Sequence, residues 1–356
     1  MKLLTYPIIA FAATFAPACP GVLASAPKLE LTPTPRAAQL YPDFPTDGIF
    51  PRIEDAQSAP DPSALRQPES LVKNLKAIQT GTLEERLQAL KKKSIDDQVF
   101  IEGGKFLMGD FGYLQSNEKL PWSSAKSNKP LRKIRLSSYA MSKYKVTYAE
   151  FDLFTEANNA ERIQTDMWFK PKRIPDAPAG VTWEQAKAYC TWLSTLTGQP
   201  FDLLSEAQWE FAARSRGYLI VWPTNDGTLR PNYNVPTSEL RERLNGGSIY
   251  PIGKFPPNPL GLYDLAHNGL EWVDDWYSAS YFAESSIATD PKGPPDGDLK
   301  VLRSWPPGDS FAGMSFDKRA FQPGTPAKPK VAGMMIGGPS PTRTVRCGSK
   351  ITEQLR

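Results

Sequence analysis

The chain of 356 residues contains three cysteines, Cys19, Cys190 and Cys347, and a single histidine, His267. These side chains bound the chemistry available. A soft copper site needs thiolates, and a non-haem iron facial triad needs two histidines and a carboxylate, so one histidine cannot build that triad. A Ser-His-Asp arrangement would have to use His267, and no G-x-S-x-G elbow is present. A lone histidine in a turn reads as a surface or hydrogen-bonding residue before it reads as a ligand or base. The stretch from Gly261 to Tyr277 ends in Asp274, Asp275, Trp276 and Tyr277, which could form an acidic and aromatic patch. The formal net charge of +4 is too small to imply nucleic acid. The run Lys91-Lys92-Lys93 reads as a solvated helix end, with contact to an anionic membrane surface as the alternative.

The elements that would position these residues are partly legible. Thr147 with Glu150, Thr182 with Gln185, and Ser205 with Gln208 have the spacing of a capping box, in which the hydroxyl accepts from a backbone N–H and the longer side chain reaches back. After Thr182 the residues Ala186, Tyr189, Cys190, Leu193 and Leu196 recur at helical spacing. Gly198 can then supply a left-handed C-terminal cap. Thirty-five prolines are about twice the usual share, and short β-like runs such as 133–136 and 300–303 lie between turns. An α+β domain with low regular secondary structure follows.

Residues 1–26 read as a secretory signal peptide. Lys2 precedes an apolar run over 3–18 that Pro7 interrupts, and Ala24-Ser25-Ala26 offers a cleavage site. Cys19 has two readings: lipidated after cleavage, which would anchor the chain, or discarded with the signal. Residues 27–95 read as a proline-rich linker, a tether or a strap lying on the domain, with a short charged helix over 83–93. Nine prolines fall in 27–70, and such a segment buries too little surface to offset its ordering entropy.

Five motifs in order carry a resemblance. Gly261-Leu262-Tyr263-Asp264-Leu265-Ala266-His267-Asn268-Gly269-Leu270-Glu271-Trp272 is similar to the GLYDMxGNVWEW signature of formylglycine-generating enzymes, the sulfatase-modifying-factor family. Gly103-Gly104-Lys105-Phe106-Leu107-Met108-Gly109, Tyr144-Lys145-Val146-Thr147, Ser205-Glu206-Ala207-Gln208-Trp209-Glu210 and Val345-Arg346-Cys347 resemble its other landmarks. The resemblance covers residues 96–356 and implies the formylglycine-generating-enzyme-like, C-type-lectin-like fold. Within it, Asp274 to Tyr277 read as packing framework rather than a binding patch.

Family members resembling this chain carry a structural bridge at the positions of Cys190 and Cys347. An even pair far apart in an oxidising compartment points the same way, so a disulfide is expected, with two buried free thiols as the alternative. The family's copper cysteines lie in the stretch matching 303–346, which here has none, and Val301-Leu302-Arg303-Ser304-Trp305 lacks the two glycines of that strand. Neither copper nor iron is expected, and formylglycine-generating activity is not expected. The resemblance implies one structural calcium ion at Asn268, Gly269 and Glu271, unless Asn268 and Glu271 simply brace the turn. A second family site is more degraded, with Asn234 retained and Leu244 where a carboxylate would stand.

The resulting expectation is a periplasmic or secreted pseudoenzyme that binds a protein. Its concrete form is an immunity protein neutralising a periplasm-acting toxin, such as a lipase effector of a type VI secretion system. The expected binding face lies in 305–341, through Trp305, Asp309, Phe311, Met314, Phe316, Arg319 and Phe321, since aromatic, Met and Arg residues are enriched in interface cores; ordinary packing is the alternative. Two other classes stay open. A periplasmic tailoring oxidoreductase would carry a redox metal, and a lipid-anchored structural envelope component would require acylated Cys19.

Overall fold

The computed structural model describes residues 40, 43–44, 65–167, 170–247, 249–283, 287–304, 313–324 and 340–350. Residues 1–26, where a signal peptide is expected, lie with Cys19 outside the described residues. In chain order the elements are α1 (Glu69–Ala77), α2 (Leu83–Asp96), β1 (Gln98–Ile101), β2 (Gly104–Met108), α3 (Gly112–Gln115), β3 (Arg132–Leu136), β4 (Tyr139–Ser142) and α4 (Tyr148–Ala157). They continue with α5 (Trp183–Thr197), β5 (Phe201–Leu203), α6 (Glu206–Ala213), α7 (Ser238–Asn245), β6 (Leu270–Trp276), β7 (Ala288–Thr289), β8 (Lys300–Arg303), β9 (Lys318–Phe321), β10 (Arg343–Thr344) and β11 (Cys347–Ser349). The fold is α+β with short elements, as expected.

The three capping boxes form as the spacing implied, starting α4, α5 and α6. A fourth, Thr82 with Glu85, starts α2. Gly198 closes α5 in the left-handed conformation, with φ of 72°, which costs a residue without Cβ almost nothing.

The strands make three small sheets, ordered β1-β4-β11-β5, β10-β6-β8-β9 and β2-β3-β7. The second is buried on both faces. Trp272 and Leu302 enter one core with Tyr189, Phe151 and Leu193, while their neighbours Val273 and Val301 enter a second with Phe106, Ile134, Trp209 and Phe211. Alternate residues of a strand point to opposite faces, so two cores leave β8 with no solvent-facing side.

The linker boundary moves. Leu71, Leu75 and Ile78, at helical spacing, and Leu90 are buried in the first core, and Lys93 is 4% exposed, paired with Glu150 at 2.8 Å and Asp97 at 2.9 Å. Residues 65–95 therefore belong to the domain and are not a linker, and Lys93 is not a solvated helix end. The expected short helix exists and runs three residues further, to Asp96. No helix among the described residues is long and apolar enough to cross a membrane.

Candidate functional site

Cys190, in α5, and Cys347, in β11, are joined by a disulfide with Cα atoms 5.7 Å apart. Both are buried, so the domain's two thiols serve to hold the helix against the sheet.

The turn before β6 holds a buried polar centre. Asn268 (φ 62°) and Gly269 (φ 100°) are consecutive left-handed residues. At Gly269 a Cβ would lie 2.8 Å from Thr344 Cγ2, so a side chain is excluded by space as well as by φ. This backbone path turns the His267 and Gly269 carbonyls toward Lys145, whose Nζ donates to them at 3.0 and 2.5 Å and lies 3.3 Å from Glu271 Oε1. Arg346 grips the same carboxylate with two N–H groups at 3.1 Å each, and Trp209 Nε1 donates to it at 3.0 Å. Arg346 and the Lys145 ammonium overcome the burial of Glu271 and hold its carboxyl below the usual range. Burial pushes Lys145 down to about 8, opposed by Glu271, so it remains an ammonium at neutral pH.

The expected calcium ligands are therefore already engaged. Asn268 uses its amide on the backbone of Tyr250, accepting from its N–H and donating to its carbonyl, both at 3.0 Å. The Gly269 carbonyl and the Glu271 carboxylate face the Lys145 ammonium. A calcium ion does not fit beside that cation, and Asn268 and Glu271 brace the turn, the alternative reading. Asn234 is likewise held inside its own loop, accepting from Arg230 N–H and donating to Asp226 and to the Thr228 carbonyl.

His267 is buried at 7% exposure. Its Nε2 faces the Asn234 carbonyl at 3.2 Å, and a carbonyl can only accept, so Nε2 carries the proton. The bare Nδ1 then accepts from the Tyr250 hydroxyl at 2.6 Å. Burial, helped by the charge of Lys145, pushes the imidazole down to about 3. A neutral ring with both nitrogens engaged is a hydrogen-bonding residue, as expected, though not a surface one.

Of the expected binding face, Trp305, Asp309 and Phe311 lie outside the described residues. Phe316 is corrected: it is fully buried, edge-on to Phe111 at 5.3 Å in a small core with Leu107, Leu114 and Leu219. The turn at Ser315 draws it inward, because the Ser315 N–H and hydroxyl bond the Val221 and Ile220 carbonyls. Met314, Arg319 and Phe321 are half-buried, Met314 packing on the core around Phe316 and Phe321 on the core around Tyr189. Phe321 carries the Arg343 guanidinium 4.0 Å above its ring.

Beneath this face lies a charge cluster that sequence reasoning missed. Arg303, fully buried, pairs with Glu206 at 2.8 Å and Glu210 at 3.0 Å, and Arg214 pairs with the other oxygen of Glu210 at 2.8 Å. Lys318 joins at 3.2 Å from Glu206. Its signal was present: Glu206 and Glu210 are one turn apart on a helix that is apolar apart from them and the capping Gln208, and Arg303 follows Val301 and Leu302 in β8. Asp275 accepts from the Glu206 N–H at the start of α6, and burial together with the Glu206 charge pushes its carboxyl up to about 8. Asp274 pairs with Lys187. The framework reading of these two aspartates holds.

A cavity of about 280 Å³ opens elsewhere, beside β5, with Leu136, Tyr139, Leu203 and Leu204 on its walls. Its carboxylates are engaged: Asp290 accepts from the Ser137 N–H and hydroxyl, and Asp202 pairs with Lys187. Among the described residues it is lined by no cysteine or histidine.

Comparison with known proteins places these features. The sequence profile of the sulfatase-modifying factor enzyme 1-like domain family, FGE-sulfatase, matches residues 84–330. A serine/threonine-protein kinase Pkn1 of Chlamydia trachomatis is 29% identical over 62% of this chain, which spans about a third, 34%, of that protein. The inactive Cα-formylglycine-generating enzyme 2 of Bos taurus is 26% identical over 59% of this chain and 76% of its own length. In structure the chain is similar to PvdO from Pseudomonas aeruginosa, with a TM-score of 0.51 and 21% identity over 71% of this chain and 94% of that one, a likeness of fold. With its profile matched across most of its length, the chain belongs to the sulfatase-modifying factor enzyme 1-like domain family.

Proposed function

We propose that this chain is a non-catalytic protein-binding member of its family, acting in the periplasm or outside the cell. The observation that carries the reading is the engagement, among the described residues, of both cysteines and the histidine. The two cysteines of the domain form a disulfide, and the one histidine is buried with both nitrogens hydrogen-bonded. Copper or iron chemistry of the kind that uses thiols or imidazoles has no ligands to start from. A bovine relative named as inactive supports loss of catalysis within the family. The disulfide supports an oxidising compartment.

In its concrete form the proposal is an immunity protein that neutralises a periplasm-acting toxin, such as a lipase effector of a type VI secretion system. The half-buried Met314, Arg319 and Phe321, with 305–312 adjoining in sequence, supply the residue types that anchor interfaces. Membrane attachment would require an acylated Cys19, which mass spectrometry of the mature N-terminus would detect. The test is capture of the mature protein, tagged at its C-terminus, with the product of the adjacent gene. A stoichiometric complex surviving moderate salt, weakened by Arg319→Ala, supports the reading. Absence of a complex together with a redox metal in the pure protein would replace it with a tailoring oxidoreductase.

A further inference from the structure

The turn at 267–271 is built around a buried positive charge. Lys145 has no solvent exposure, and its ammonium is met by two backbone carbonyls and one carboxylate. Asp264 lies in the same centre, fully buried, with Oδ1 lacking any hydrogen-bond partner and its charge felt by Lys145. Such oxygens are hard donors, and a desolvated set of them requires a cation. The consecutive left-handed residues Asn268 and Gly269 fix the carbonyl directions in the backbone. The nest does not depend on the rotamer of the lysine. Arg346 carries one positive charge and is committed to Glu271 and to the carbonyls of Ser142, Lys143 and Tyr263, whereas the centre holds two carboxyl groups, Glu271 and Asp264.

We infer that residues 267–271 form a hard-cation site whose resident cation is the covalently tethered ammonium of Lys145, and that deleting this ammonium converts the turn into a site for a free hard metal ion. Two consequences distinguish this from an ordinary buried ion pair. The native protein is indifferent to calcium and to chelators. A protein lacking the ammonium, with the oxygens still aimed inward, gains a stability that depends on added cation.

The experiment compares wild type with Lys145→Met, which keeps an apolar stem, by thermal unfolding in choline chloride with calcium chloride or sodium chloride added in separate arms. Wild type should show no ion-specific shift and no response to EDTA. Lys145→Met should melt lower in choline chloride and recover with calcium or sodium, rising by about 4 °C at a hundredfold excess over the dissociation constant. The double variant Lys145→Met with Glu271→Gln should lose that recovery. If Lys145→Met does not fold alone, it should refold when millimolar calcium is present. A wild type destabilised by EDTA, or a Lys145→Met protein that neither ion rescues, overturns the inference.

Discussion

Replacing both Cys190 and Cys347 by alanine tests how α5 and β11 are held together. The bond joins residues 157 apart in sequence. In the chain-entropy argument a loop of that length restricts the unfolded chain enough to stabilise the fold by about 5 kcal/mol at 25 °C. A folded domain of roughly three hundred residues unfolds with an entropy near 0.6 kcal/mol/K, so the expected drop in melting temperature is about 8 °C. Both sulfurs are buried, at 0% and 1% exposure, so lost packing adds to the drop. The assay is thermal unfolding followed by circular dichroism without reductant, with wild type in reductant as the companion sample. The variant and the reduced wild type should fall by similar amounts. A variant melting within about 2 °C of oxidised wild type would refute the reasoning, since the bond would then constrain nothing that the packing of α5 on β11 does not.

Phe316→Ala should destabilise the domain by about 3–5 kcal/mol through a cavity beside Phe111, readable as a lowered urea midpoint; an unchanged midpoint would return Phe316 to the surface. His267 gives an acid limb. Its folded value of about 3 lies below the unfolded value of 6.5, so between these the unfolded chain binds more protons and stability falls as pH falls. The loss from pH 7 to pH 4 is about 3 kcal/mol. The measurement is the difference in urea midpoint between wild type and His267→Gln across that range, because the raised Asp275, whose contribution runs in the opposite direction with pH, is common to both. A difference that does not change with pH sinks the assignment. Glu210→Gln should cost about 3–5 kcal/mol by leaving Arg303 and Arg214 underpaired in the core; a melting temperature equal to wild type would show the cluster to be dispensable.

Local chemistry made much of the fold legible. A capping box is a contact between residues three apart, so Thr147, Thr182 and Ser205 could be read directly, as could the left-handed stop at Gly198. The cysteine pair was readable because few cysteines leave few pairings and the resemblance supplied the positions. What failed was information carried by distant parts of the chain. Lys145 sits in a motif position that says nothing of where its ammonium goes, and its partners at 267–271 lie more than 120 residues away. Phe316 looked like an interface residue because aromatic, Met and Arg residues in a glycine-rich region suit an interface and a small core equally well. Only the bonds from Ser315 to the backbone of Ile220 and Val221 decide between them. The proline count at 27–70 concealed the apolar stripe of α1, since composition averages over a segment and burial is set residue by residue.

The two N-terminal helices change what counts as the smallest unit of this protein. The family profile match begins at residue 84, yet Leu71, Leu75 and Ile78 stand in the same core as Tyr189 and Trp272. A fragment trimmed to the family boundary would therefore uncover the apolar surface that Leu71, Leu75 and Ile78 cover in the first core, inviting self-association. Transplanting the domain, fusing it or displaying it requires residues from about 65 onward, and a partner seen only with the shorter fragment would be binding a wound rather than a surface.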